Sequence, residues 1–85
     1  MSTSTLHTVE TGRARIDEID AEIVRLVQER CGVSTQVQQA RQAEGGPRVA
    51  HARENEVVAR WRAALGRPGR TIALALLELG RGRVG

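Results

Sequence analysis

The sequence predicts an all-α chain of three helices, one long and two short, that pairs with a second copy as an intertwined homodimer. Three observations lead there. Apolar residues between Ile16 and Ala40 recur in steps of three and four, the spacing of one helix face. Glycine and proline gather at Gly45-Gly46-Pro47 and at Gly66-Arg67-Pro68-Gly69, which divides the chain into three helical segments. No stretch alternates apolar and polar residues with period two, so no strand is expected.

Residues 1–12 are rich in Ser and Thr and carry no period; they are expected to form a flexible tail. From Arg13 to about Ala43 there is no proline. Ile16, Ile19, Ile23, Leu26, Val33, Val37 and Ala40 form a heptad stripe with one gap between Leu26 and Val33. Gly32 weakens this helix by about 1 kcal/mol. The stripe keeps its phase through Gly32, so the helix is expected to stay whole. Glu44-Gly45-Gly46-Pro47 ends it.

A second helix is expected from Val49 or Ala50 to Leu65, with a buried stripe of Val57, Trp61, Ala64 and Leu65. Gly66-Arg67-Pro68-Gly69 reads as a turn. Thr71 then caps a short third helix that carries Ile72, Ala73, Leu76 and Leu77 and stops at Gly80. The sequence Gly80-Arg81-Gly82-Arg83-Val84-Gly85 places a glycine at every second position before Val84, and this end is expected to be mobile.

Helix length bears on quaternary state. Thirty-one residues span about 46 Å, whereas a compact chain of this size is roughly 30 Å across. The first helix therefore overhangs, and its apolar stripe needs a cover. A second copy related by a two-fold axis supplies one.

Composition narrows the function. The chain has 85 residues, 27% charged and 40% hydrophobic, enough to fold as one small domain. Trp61 is the one aromatic residue. No apolar run is long enough to span a membrane, and Met1 to Glu10 lacks the pattern of a signal peptide. Cys31 stands alone, without a disulfide partner or a metal-binding cluster. A cytoplasmic protein is expected. All 13 basic residues are arginines, against 10 acidic ones, for a net charge of +3. Guanidinium groups grip carboxylates and phosphates in a bidentate way.

The gap in the heptad stripe is Arg30. A charge at that seam position costs several kcal/mol unless it is paired. It is either a residue that sets the register or one wall of an anion pocket. Arg41 lies three turns further on the same face, about 16 Å along the axis. Arg13 is about 42 Å from Arg41 in one chain. If a two-fold axis crosses near Val24, Arg13 of a second copy lands opposite residue 35, between Arg30 and Arg41. Arg53 and Glu54 share the phase of the second helix's buried stripe. Arg53 could bind a carboxylate, and Glu54 could accept a hydrogen bond from a hydroxyl. Alternatively, Glu54 simply favours the helix dipole. His51 reads as a surface residue. No Ser-His-Asp set, Cys-His pair, phosphate-binding glycine loop or metal-ligand spacing occurs.

Arg13-Ala-Arg-Ile-Asp-Glu-Ile-Asp20, Glu29-Arg30, Gln39-Ala-Arg41 and His51-Ala-Arg-Glu54 together resemble the all-helical AroQ-type chorismate mutases. The ending Leu76-Leu-Glu-Leu-Gly-Arg-Gly-Arg-Val84 is similar to the small actinobacterial (delta-like) subclass. The resemblance covers residues 13–85, which would be the mutase domain. It implies a homodimer with two shared sites, no cofactor and no metal. It also implies the Claisen-type rearrangement of chorismate to prephenate on the route to Phe and Tyr.

By position, Arg13 of the second copy, Arg30 and Arg53 would hold the substrate carboxylates. Arg41 would stand by the ether oxygen, and Glu54 would hold the ring hydroxyl. Ala50 stands where many relatives carry an acid. Leu77 and Arg81 stand where others place a small hydroxyl residue and a Gln or Glu, which puts Arg81 among the substrate-binding candidates. The subclass also implies activation by a DAHP synthase partner. A pericyclic shift needs no nucleophile or general base. It needs a held conformer and well-placed cations.

Related substrates, aminodeoxychorismate or isochorismate, are alternatives within the family. A non-enzymatic dimerisation module would explain the heptads but not Arg30. A nucleic-acid binder is disfavoured, because the arginines are spread through all segments and one tryptophan offers no stacking platform.

Overall fold

The computed structural model describes residues 2–46 and 50–81, with side chains from Thr8 onward. Three helices follow one another: α1 (Ser2–Ala43), α2 (His51–Leu65) and α3 (Arg67–Gly80). No strand occurs among the described residues. The all-α class and the long first helix are as the periodicity predicts. The glycine-rich end beyond Arg81 lies outside the described residues.

Helix α1 begins about eleven residues before the expected start at Arg13, so the segment read as an irregular tail is helical from Ser2. Nothing in that segment breaks a helix. It holds no proline, and Gly12 costs only about 1 kcal/mol. Val9 also stands one heptad before Ile16, so the apolar stripe starts earlier than Ile16. Gly32 leaves the helix unbroken, as its register implied.

Helix α3 begins at Arg67, four residues before the expected start at Thr71. Pro68 lies in its first turn, where a missing N–H costs nothing and the fixed φ already suits a helix. The turn contracts to Gly66 alone. Gly66 has φ +74°, a conformation natural to glycine, and its N–H reaches Arg62 O at 2.7 Å. Helix α2 starts at His51, with Ala50 as its N-cap residue. Glu54 in its first turn meets the positive end of the helix dipole.

Helix α3 is the bridge of the chain. It packs on α2 along its length and crosses α1, whereas α1 and α2 stand apart. Its buried side is Gly69, Ala73, Leu76 and Gly80, one per turn. A Cβ on Gly69 would sit 2.1 Å from the Trp61 carbonyl oxygen, and one on Gly80 would sit 2.9 Å from Ser34 Oγ. The first contact, against backbone, is closer than any side chain would permit; the second is tight, against a hydroxyl that can rotate.

The described core is thin. Val57, Ala73 and Leu76 are its buried apolar residues. Trp61 is half-buried, and Leu65, expected inside, is exposed at the end of α2. The radius of gyration is 17.8 Å, against about 12 Å for a compact chain of this length. The 64 Å long axis matches the roughly 63 Å rise of a 42-residue helix. Along α1, the stripe from Val9 to Val37 faces outward uncovered, with Ile16 at 56% exposure and Ile23 at 52%.

Two glycine substitutions should move stability in opposite directions. Gly69→Ala forces α2 and α3 apart and should cost at least about 1–3 kcal/mol. Gly32 lies outside the heptad seam with nothing within 4 Å of a Cβ, so Gly32→Ala should gain about 0.5–1 kcal/mol. Denaturant titration of the two variants checks both signs.

Candidate active site

Helices α1 and α2 stand apart because α3 lies between them, and the gap is a pocket of about 270 Å³. Arg30, Val33, Ser34, Val37, Gln38 and Arg41 of α1 form one wall. Ala50, Arg53, Glu54 and Val57 form the other, and Leu77 of α3 closes it. The positions on α1 fall at three-, four-, seven-, eight- and eleven-residue intervals from Arg30, which a helix places on one side.

Four of the six residues singled out in the sequence thus line one pocket: Arg30, Arg41, Arg53 and Glu54. Arg30 and Arg41 are half-buried, and neither side chain has a hydrogen bond or ion pair among the described residues. Arg53 is exposed, with Glu56 3.9 Å away. So loose a surface pair holds the guanidinium weakly. Cations gathered this way, with little to neutralise them, suit an anionic ligand.

Arg81, a substrate-binding candidate from the sequence, is not among the residues that line the pocket in the single chain; its Nη2 donates to Glu54 Oε1. The pair is partly shielded, with side chains 33% and 24% exposed. Glu54 therefore enters the pocket already paired with a cation. Arg13 is exposed on α1, far from the pocket within one chain. His51 is exposed, as expected.

Sequence reasoning missed Ser34, Gln38 and Val57 as parts of the wall. The helical spacing from Arg30 would have found the first two. Val57 was read only as core, and its contribution to the pocket depends on how α2 faces α1. Ala50 and Leu77, noted as departures from the usual family pattern, both line the pocket. Among the described residues, no three His, Cys, Asp or Glu side chains gather in a metal-binding group.

Three helices around a pocket lined by Arg30, Arg41 and Arg53 define an all-helical scaffold with a cationic cleft. The chain belongs to the chorismate mutase type II family, whose pattern matches residues 12–75. It is 48% identical over 73 residues to an intracellular chorismate mutase of Mycolicibacterium smegmatis, covering 86% of this chain and 70% of that protein. It is 47% identical over 77 residues to the intracellular chorismate mutase of Mycobacterium tuberculosis, covering 91% and 72%. Among solved structures it resembles a non-covalent complex of DAHP synthase and chorismate mutase from Corynebacterium glutamicum with a bound transition state analog. That match has a TM-score of 0.83 and 32% identity, and it covers 91% of this chain and 93% of the matched one.

The unpaired state of Arg30 sets stability against binding. Arg30→Met removes a half-buried charge that nothing among the described residues pairs, so the melting temperature should hold or rise. The same change should abolish binding of a dicarboxylate. Thermal denaturation with ligand titration reads both effects; a large drop in melting temperature would make Arg30 a structural residue.

Proposed function

We propose that the pocket binds chorismate as a dianion, with each arginine in a separate role. Family membership makes the chain a chorismate mutase, the isomerase that rearranges chorismate to prephenate. The observation that carries the assignment of roles is the gathering of Arg30, Arg41 and Arg53 around Glu54 in one pocket. Arg30 and Arg53 hold the two carboxylates. Arg41 stands by the ether oxygen, and Glu54 accepts the hydrogen bond of the ring hydroxyl.

The reaction breaks one C–O bond and forms one C–C bond within a single molecule. Substrate conformers with the two reacting ends apart are unproductive. Two fixed carboxylate contacts and one hydroxyl contact select the folded conformer and so remove an entropic barrier. As the C–O bond lengthens, negative charge grows on the ether oxygen. A guanidinium already in place stabilises that charge more than the ground state, which lowers the barrier. The apolar wall of Val33, Val37, Val57 and Leu77 keeps the local dielectric low, which strengthens the contact.

The site is completed by a second copy of the chain. The uncovered stripe on α1 supports this reading, as does the remoteness of Arg13 from the pocket in a single chain. In an antiparallel pairing about Val24, Arg13 of the second copy reaches the Arg30–Arg41 face. The protein works in the cytoplasm on the route to Phe and Tyr. Its partner is a DAHP synthase that raises its activity; the support is the complex formed by the Corynebacterium glutamicum relative. Among the described residues no helix is long and apolar enough to cross a membrane.

A spectrophotometric assay of chorismate loss and prephenate formation tests the activity directly. Arg41→Ala should lower kcat by at least about 10²–10³-fold while the fold persists. Arg41→Lys should keep part of the rate, because a point charge still reaches the ether oxygen. Near-normal turnover in Arg41→Ala would remove Arg41 from the chemistry.

Mixing tests the shared site. Arg13→Ala and Arg30→Ala homodimers should each be nearly inactive. A heterodimer of the two has one site with both arginines intact and one with neither, so co-refolding should restore up to about half the activity per dimer. Heterodimers that form and stay inactive would show that Arg13 does not serve the neighbouring chain's site.

A further inference from the structure

Gln38 lines the pocket, yet its amide also reaches out of it. Its Nε2 donates to the carbonyl oxygen of Gly80 at 3.3 Å. That carbonyl belongs to the last residue of α3, among the end carbonyls that a helix leaves without a partner of its own. The contact lies beside the place where Gly80 seats closely on α1, where a Cβ would come within 2.9 Å of Ser34 Oγ. The end of α3 is thus fixed on α1 by shape at Ser34 and by a hydrogen bond at Gln38.

Arg81 is the next residue. Its backbone N–H closes α3 on Leu77 O at 3.2 Å and Glu78 O at 3.1 Å, and its guanidinium lies on Glu54 Oε1. An unbroken series therefore runs from Gln38 on α1, through Gly80 and Arg81, to Glu54 on α2. Because α1 and α2 do not approach each other directly, it is a polar link between the two walls of the pocket.

We propose that Gln38 is a positioning residue: by holding the end of α3 it keeps Arg81 on one oxygen of Glu54, leaving the other oxygen aimed at substrate. This rests on the reading of Glu54 as the acceptor for the substrate hydroxyl. The division of the carboxylate follows from its chemistry. A carboxylate accepts at both oxygens, and a charge-assisted hydrogen bond at one fixes the plane of the whole group. Without Gln38 the end of α3 is released from α1, and the Arg81 guanidinium swings on its long side chain. Glu54 then loses its fixed direction, although its own contacts with α2 are untouched. A misplacement of about 1 Å can cost up to about 10²-fold in rate.

A double-mutant cycle separates this role from simple helix packing. Gln38→Leu should lower kcat/KM about tenfold, and Arg81→Met should lower it at least as much. If Gln38 acts through Arg81, the double variant equals Arg81→Met alone; losses that multiply would overturn the proposal. Gln38→Met keeps the reach of the side chain and serves if Gln38→Leu does not fold. A second measurement needs no substrate. The Arg81 guanidinium 1H–15N signals, assigned by their loss in Arg81→Met, should be resolved in the native protein and averaged by rapid rotation in the Gln38 variant. Signals unchanged by the Gln38 substitution would also overturn the proposal. A native protein without turnover of chorismate would instead sink the functional reading, and the signals of Arg81 would still decide the role of Gln38.

Discussion

Two close contacts made at glycines hold this structure in its working shape. At one end of α3, Gly69 lets the helix lie against the Trp61 carbonyl of α2; at the other, Gly80 lets it lie on Ser34 of α1. Between them Ala73 and Leu76 fill the seam. The pocket exists because α3 keeps α1 and α2 apart at a set width. A bulkier residue at Gly69 would push α3 off α2 before it touched any charged group.

The electrostatics of the pocket follow from this separation. Arg30 and Arg41 project from one wall, and Arg53 and Glu54 from the other. Had α1 and α2 packed directly, Glu54 would have been a natural partner for Arg30 or Arg41. The gap keeps them unpaired, and Arg81 on the end of α3 occupies Glu54 instead. Unpaired, half-buried cations oppose folding, and under the proposed function a dianion compensates their charge. An apolar stripe left open along α1 also opposes the isolated chain. Under the proposed function both features are resolved by binding, one by substrate and the other by a second copy.

Some of the differences between expectation and structure have local causes. The turn expected at 66–69 shrank because Pro68 is as compatible with a helix's first turn as with a loop. The tail before Arg13 is helical because Val9 continues the heptad, and a Ser- and Thr-rich composition lowers helix propensity without forbidding it. Leu65 is apolar and in phase, yet it falls in the last turn of α2, where its Cβ lies beside Gly69 and the rest of its side chain stays exposed. In each case the residue types permitted two outcomes, and neighbours in space chose between them.

The sequence by itself determined the helical class, the long first helix, the break at Gly45-Gly46 and the shared face of Arg30 and Arg41. All of these are set by local periodicity and by the backbone limits of glycine and proline, which act within a few residues. It also placed Arg53 and Glu54 on the inner phase of α2, and the ordered charged residues were enough to suggest the family. The tertiary structure decided which walls those residues form, that Gln38 and Ser34 meet the end of α3, and that Arg81 binds Glu54 across 27 positions of chain. Such contacts depend on the approach and rotation of whole helices, and these are set by close contacts such as those of Gly69 and Gly80, which a periodic pattern does not encode.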